Sequence, residues 1–307
     1  MTHNPVFEKA KYKKMAEDSF HATTLAITPH PASSALSRAL CREIVEHAVQ
    51  HTRTKLLITF VDDHNIVPTW QRRNEEIAWY NEIHSMCVAV GRPAINMIIV
   101  APTSPSASAC DVAYGLERHR GVAASMAQAP STSTTTSTDA TTLTMTAPTT
   151  TTTTPTLFVP MDDVKAVQAF LVDDYFMYEN DADALPTYNL VAMGGTFDHL
   201  HAGHKRLLTA AAHVCTGILT IGVTSDAYLA KKSKSFGHMI EPCPIRIQHV
   251  FDFLSTIKPS LTLELLSIDD GAGPTTQRPE FQGEWEIDFS FSLLLWLPGT
   301  VVSQCVC

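Results

Sequence analysis

The chain has 307 residues, which is enough for two ordinary domains or for one large domain with insertions. Its composition, 45% hydrophobic and 17% charged, is that of a globular protein and excludes the collagen-like and coiled-coil classes. The formal net charge of −9 argues against nucleic acid as the main partner, although a locally basic site for phosphate groups stays compatible with it.

Helical and strand patterns alternate in the first part of the chain. Apolar residues at helical spacing predict helices over 34–50 and 69–90, and short apolar runs predict strands over 55–61 and 94–100. This alternation predicts an α/β domain with a parallel sheet over residues 1–128. Its role is unknown: Asp62-Asp63-His64, Asp111 and Arg118-His119-Arg120 could belong to a site, but such polar clusters are typical of ordinary loops.

A threonine-rich stretch follows this domain. Residues 129–156 are dominated by Thr, Ser, Ala and Pro, a composition that buries too little apolar surface to offset the entropy of ordering it. We predict a disordered linker or an inserted loop here. Residues 156–160 and 162–171 again resemble a strand and a helix, so the first domain could include 157–172.

The alternation is clearer from Tyr188 onward, which we assign to a second domain over 187–307. Strands are predicted over 188–193, 218–223 and 261–268, and helices over 204–214 and 245–256. Strand, loop and helix in this order are typical of a doubly wound, Rossmann-like parallel sheet.

The loop after the first of these strands is glycine-rich and contains two histidines. It reads Gly194-Gly195-Thr196-Phe197-Asp198-His199-Leu200-His201-Ala202-Gly203-His204. Glycines let backbone amides approach a phosphate, and the N-terminal end of the next helix attracts anions. His201 and His204 could both face one bound phosphate group. Taken alone, two histidines three apart could also be a metal pair or a helix cap.

The segment GGTFDHLHAGH resembles the nucleotidyltransferase superfamily, and within it the eukaryotic-type phosphopantetheine adenylyltransferases. Three further motifs follow in the family's order: a lysine-rich loop with Glu241-Pro242 leading to Arg246, then Lys258-Pro259-Ser260-Leu261, then Asp270-Gly271-Ala272-Gly273-Pro274-Thr275. The resemblance covers about 188–275.

The resemblance implies adenylyl transfer from ATP to 4′-phosphopantetheine, giving dephospho-coenzyme A and pyrophosphate, with magnesium carried on ATP and no metal ligand from the protein. It implies that His204 and His201 hold the α- and β-phosphates of ATP and that Lys231, Lys232 or Lys234 neutralises developing charge. Arg246 is implied as a phosphate contact, with an ion pair to Glu241 or Asp252 as the alternative. The residues implied in ATP binding are Gly194, Gly195, Thr196, Phe197, Asp198 and Gly203, and Thr196 and Lys231 are also implied in binding 4′-phosphopantetheine.

The chain departs from the family after Thr275. The family continues with a VVSxET segment, whereas here Cys305 stands where its Glu is expected, and 283–298 has no counterpart. We therefore expect a truncated or mis-spliced C-terminus and weak activity of this chain. The alternatives are a cytidylyltransferase of the same superfamily and an inactive nucleotide-binding or interaction protein.

The remaining features bear on location. The seven cysteines form no CxxC pair and indicate neither a zinc site nor a disulfide framework, so we interpret them as reduced intracellular thiols. The N-terminus lacks the apolar core of a signal peptide, and the most apolar run, 289–297, is far shorter than the ~20 residues of a membrane helix. We expect a cytoplasmic protein without a membrane partner.

Overall fold

The computed structural model describes residues 21–63, 65, 67–102, 110–126, 157–162, 187–231, 237–269, 284–287 and 294–297. Their contacts divide into two compact units, the first holding the described residues up to 162 and the second those from 187. Each unit is described by itself.

Five parallel strands form the sheet of the first unit, in the order β3-β2-β1-β4-β5. The strands are β1 (His21–Pro29), β2 (Thr52–Val61), β3 (Asn96–Ile99), β4 (Val112–Gly115) and β5 (Leu157–Pro160). The helices are α1 (Ala35–His51) after β1, α2 (Thr69–Ala89) after β2, and the short α3 (Arg120–Met126) after β4. The strand order reverses between β1 and β4, as in doubly wound sheets.

Helix α1 shows how the sequence forms these elements. Ser34 caps its first turn, since the Ser34 hydroxyl accepts a hydrogen bond from Ser37 N at 3.0 Å. Leu40, Ile44 and Ala48 recur every four residues and are fully buried. The helix therefore presents one apolar stripe to the core of the unit.

The structure confirms the helices predicted over 34–50 and 69–90 and the strands predicted over 55–61 and 94–100, to within a few residues at their ends. Two strands were not predicted from the sequence. About half of β1 is threonine and alanine, and its Thr24 and Thr28 are buried although threonine is a polar residue. Strand β4 is only four residues long, which is too short to give a clear pattern. The strand predicted after the threonine-rich stretch is β5, which pairs with β4 inside this unit. Residues 129–156, and the helix predicted over 162–171 beyond Asp162, lie outside the described residues.

The second unit contains a three-stranded parallel sheet in the order β6-β7-β8. Its elements are β6 (Tyr188–Gly195), α4 (Ala202–Val214), β7 (Cys215–Thr224), α5 (Asp226–Lys231), α6 (Cys243–Ile257) and β8 (Thr262–Ile268). β9 (Glu284–Ile287) and β10 (Leu294–Leu297) form a separate antiparallel pair within the segment that departs from the family. The parallel α/β sheets confirm the predicted Rossmann-like fold class.

The central strand β7 organises this core. Leu219, Ile221 and Val223 are fully buried, and helix α6 contributes Val250 and Leu254, also with no exposed surface. The parallel pairing of β6 with β7 places their carboxyl ends next to each other, and the glycine-rich turn begins at that edge. No helix in the described part of the chain is long and apolar enough to cross a membrane.

Candidate active site

The turn that follows β6 is held in place by a buried aromatic ring. Phe197 has no exposed surface and adopts a left-handed backbone conformation with φ of 52°. A Cβ atom on Gly195 would lie 3.1 Å from the Phe197 ring, which is tighter than ordinary contacts. The absence of a Cβ atom at Gly195 therefore makes room for the Phe197 ring, and the buried ring packs against the turn.

His201 and His204 come together as the sequence predicts. Their imidazole rings stack with centroids 3.8 Å apart and an interplanar angle of 24°. His201 is the N-cap of α4, because its Nδ1 accepts a hydrogen bond from Gly203 N at 3.2 Å. The capping role considered from the sequence is thus real, and it accompanies the pairing of the two rings. A Cβ atom at Gly203 would lie 3.1 Å from the His201 ring, so glycine at this position leaves room for that ring.

His204 lies in an apolar environment. It is 9% exposed, its ring is 5.5 Å from that of Phe197, and its Nδ1 is buried without a hydrogen-bond partner among the described residues. Burial, with a smaller contribution from His201, lowers the pKa of His204 to about 4. At neutral pH His204 is therefore uncharged and can donate or accept one hydrogen bond to a ligand at the start of α4.

Asp198 ties the turn to the start of α6. Asp198 Oδ1 accepts from Glu241 N at 2.9 Å, and Glu241 Oε2 accepts from His199 N at 3.0 Å. Burial alone would raise the pKa of Asp198, but the bond from Glu241 N and the contact with His199 outweigh it and lower that pKa. The hydrogen bond to Asp198 raises the pKa of His199. Asp198 thus positions the turn, and its predicted contact with ATP stays a prediction.

Arg246 is buried beneath the turn. Its guanidinium donates to Glu241 O at 2.7 Å, to Thr196 O at 2.7 Å, to Thr224 O at 2.9 Å and to Asp226 Oδ1 at 2.8 Å. The side chain has no exposed surface.

The ion pair expected between Arg246 and Glu241 or Asp252 is wrong. Arg246 pairs with Asp226, it reaches Glu241 only through the backbone carbonyl, and Asp252 instead accepts from Gln248 at 2.8 Å. With its donors committed to three backbone carbonyls and to Asp226, Arg246 positions Thr196 in the turn, and its predicted contact with a substrate phosphate stays a prediction.

Thr224 and Ser225, at the end of β7, were not predicted from the sequence to belong to the site. Thr224 Oγ1 donates to Gly195 O at 3.1 Å, which joins the ends of β6 and β7. The Ser225 hydroxyl accepts from Tyr228 N at 3.0 Å at the start of α5 and donates to Asp269. A Thr-Ser-Asp run directly after an apolar strand is a cap-type signal that could have identified them.

Of the predicted lysines, Lys231 lies among the described residues. It is the last residue of α5 and is exposed. Lys232, Lys234 and the Asp270–Thr275 motif lie outside the described residues, so their predicted roles stay predictions.

The two polar clusters noted in the first part of the chain meet in the first unit. Asp63, just after β2, lies 3.0 Å from Arg118 Nε and 3.0 Å from His119 Nε2, which follow β4. His119 is buried, and burial lowers its pKa against the opposing effect of Asp63. These side chains link two loops across the carboxyl edge of the sheet.

Known proteins are similar to part of this chain. Residues 192–260 match the model of the cytidylyltransferase-like family. The chain is 33% identical to a phosphopantetheine adenylyltransferase of Saccharomyces cerevisiae over 117 residues, 36% of this chain and 38% of that protein. It is 39% identical to one of Methanothermobacter thermautotrophicus over 95 residues, 31% of this chain and 54% of that protein. It is 33% identical to one of Methanopyrus kandleri over 96 residues, 31% of this chain and 59% of that protein.

The chain thus spans between about two fifths and three fifths of the length of these relatives. Within that span it is similar to phosphopantetheine adenylyltransferases and to the cytidylyltransferase-like family, as the turn at 194–204 predicts.

Proposed function

We propose that the unit from residue 187 transfers the adenylyl group of ATP to 4′-phosphopantetheine, producing dephospho-coenzyme A and pyrophosphate in coenzyme A biosynthesis. The observation that carries this proposal is the stacked His201–His204 pair at the start of α4, at the carboxyl edge of a parallel sheet. The pair lies in a segment similar to proteins named phosphopantetheine adenylyltransferase.

The reaction depends on positioning and charge stabilisation. An oxygen of the pantetheine phosphate attacks the α-phosphorus of ATP, a new P–O bond forms, and the bond to the bridging oxygen breaks as pyrophosphate leaves. The attacking phosphate is ionised at neutral pH, so no general base is needed. Holding the two phosphates in line is the main task of the protein.

Each residue near the turn has a distinct part in this proposal. His204, uncharged and partly desolvated, hydrogen-bonds an ATP phosphate, and His201 lies stacked beside it at the same helix start. The amides of Gly195 and Thr196 face the substrate phosphates, and Arg246 holds the turn through Thr196 O. Lys231, or Lys232 or Lys234 after it, neutralises charge on the leaving pyrophosphate. ATP arrives as its magnesium complex.

The cytidylyltransferase alternative has weaker support. The three relatives described above carry the adenylyltransferase name, whereas the cytidylyltransferase-like family model covers the broader superfamily. Cytidylyl transfer is therefore an outcome for the experiment to test.

We also place the protein in the cytoplasm. Cys41, Cys87, Cys110, Cys215 and Cys243 are buried free thiols in the described residues, which suits a reducing compartment.

The proposal is tested with the full chain in a pyrophosphate-release assay. ATP with 4′-phosphopantetheine should release pyrophosphate and form dephospho-coenzyme A, while CTP in place of ATP should not. Because weak turnover is expected, titration calorimetry with ATP and with coenzyme A should accompany the assay. Preference for CTP would favour cytidylyl transfer, and binding of both ligands without product would favour a binding protein. Absence of both binding and product would overturn the proposal.

A further inference from the structure

Side chains of types that can bind metal ions lie together where the glycine-rich turn at 194–204 meets the residues before α6. Asp198, His199 and Glu241 each offer one ligand atom, and these atoms all lie within 4.8 Å of one another. His249 on α6 is next to Glu241, with its Nδ1 3.4 Å from Glu241 Oε2. Two imidazoles and two carboxylates therefore converge from the turn and from the start of α6.

We propose that Asp198, His199, Glu241 and His249 form a binding site for a divalent transition-metal cation of the zinc type. This site is formed by side chains other than His201 and His204, and the proposal does not rest on adenylyl transfer.

The spacing of the donor atoms suits such a cation. Zinc binds nitrogen and oxygen at about 2.0–2.2 Å, so neighbouring ligand atoms of a tetrahedral site are about 3.3–3.5 Å apart. Glu241 Oε2 and His249 Nδ1 are 3.4 Å apart, which matches this spacing. Asp198 Oδ2 and His199 Nδ1 are hydrogen-bonded at 2.9 Å, and a bound cation would replace the shared proton and move the two atoms slightly apart. The ligand atoms of Asp198, His199 and Glu241 already lie within 4.8 Å of one another, and His249, beside Glu241, is the fourth ligand of the proposed site.

The carboxylates are oriented before any cation binds. Asp198 Oδ1 is held by Glu241 N and Glu241 Oε2 by His199 N. An ionised carboxylate has about four lone-pair positions, so each of these groups keeps further positions for a metal. Backbone donors here act as the outer partners that orient ligands in metal sites.

The donor chemistry selects the class of cation. Imidazole nitrogen suits zinc and its neighbours in the transition series, whereas magnesium and calcium prefer oxygen ligands alone. Two carboxylates neutralise the double positive charge. Access is open, because 60% of the His199 side chain and 42% of the His249 side chain are exposed.

The site is tested by metal binding to the full, untagged chain after treatment with a chelator. Titration calorimetry with Zn²⁺ should give one saturable site, and Mg²⁺ under the same conditions should not occupy it. Co²⁺ should produce the strong visible absorption of a four-coordinate nitrogen and oxygen site. Two variants remove one imidazole each: His199→Asn, which suits the left-handed backbone of His199 with φ of 47°, and His249→Ala.

Each variant should weaken zinc binding by at least ~10-fold, while the exposed His238 of the same unit, changed to Ala, should leave it unchanged. His201→Ala separates this site from the stacked histidine pair and should also retain zinc. Thermal melting without metal checks that each variant is folded, and zinc should raise the melting temperature of wild type more than that of either variant. The proposal is overturned if zinc does not bind saturably, if both variants bind as wild type does, or if only His201→Ala loses binding.

Discussion

The imidazole rings of His201 and His204 stack 3.8 Å apart at the first turn of α4, one exposed and capping the helix, the other buried against Phe197. Two positively charged rings at this distance would repel each other, which is why His201 contributes to lowering the pKa of His204. The pair therefore carries at most one positive charge at neutral pH, which is compatible with the phosphate-binding role proposed for it.

His204→Ala should lower the rate of pyrophosphate release by ~100-fold or more while ATP affinity changes less, because a group that stabilises the transition state contributes mainly to kcat. His213→Ala, in the last turn of the same helix, is the matched control and should keep the wild-type rate. Equal losses in binding and turnover would indicate a ground-state role for His204, and an unchanged rate would remove it from the site.

Arg246→Met should destabilise the second unit by about 3 kcal/mol or more, because buried carbonyls lose their donor. Arg246→Lys keeps the charge but cannot reach three separated carbonyls, so it should restore only part of this loss. Urea unfolding followed by circular dichroism measures the difference. Gln248→Ala on the same helix removes only an exposed bond to Asp252 and should change stability little. A stable Arg246→Met variant would contradict the positioning role.

The stability of the first unit should fall between about pH 6.5 and pH 4. Burial lowers the pKa of His30 from 6.5 to about 4, so the folded state favours the neutral ring. The stabilising effect is complete above the unfolded pKa and is lost as the pH falls toward the folded pKa, with an upper limit of about 3 kcal/mol.

His30→Asn isolates this effect. Asparagine keeps an acceptor for Ala32 N, which His30 Nδ1 holds at 3.2 Å, but it does not titrate. The variant should lose less stability on acidification than wild type, measured by hydrogen exchange in peptides covering β1 and β2. His84→Gln, at a partly exposed position of α2, should follow wild type. If His30→Asn also follows wild type, His30 does not cause the loss.

Limited proteolysis should cut first between residues 129 and 156, because their composition offers little apolar surface to protect the backbone. After the cut, the piece ending before residue 129 should remain bound to the piece that begins near Thr156, since β5 pairs with β4. Gel filtration of the cleaved protein checks this. Separation of the two pieces without denaturant would show that β5 is dispensable for the first unit.

Local sequence patterns were sufficient to predict many of the helices and strands of this protein. The apolar periodicity of α1 and α4 and the apolar run of β7 predicted their positions, since each pattern lies within one element. The order of glycines and histidines from Gly194 to His204 indicated a phosphate-binding turn for the same reason. Strand β1 escaped prediction because its buried Thr24 and Thr28 resemble surface residues until neighbouring strands cover them.

The sequence by itself determined the α/β class, the glycine-rich turn at 194–204 and the resemblance of that turn to the nucleotidyltransferases. These features are encoded by residues close together in the chain. Only the tertiary structure decided which distant side chains meet. It paired Arg246 with Asp226 and with Thr196 O, Asp63 with Arg118 and His119, and Asp198 with Glu241, which is 43 positions away. No spacing rule reveals such pairs, since they depend on strand order and on which loops reach the same edge of a sheet.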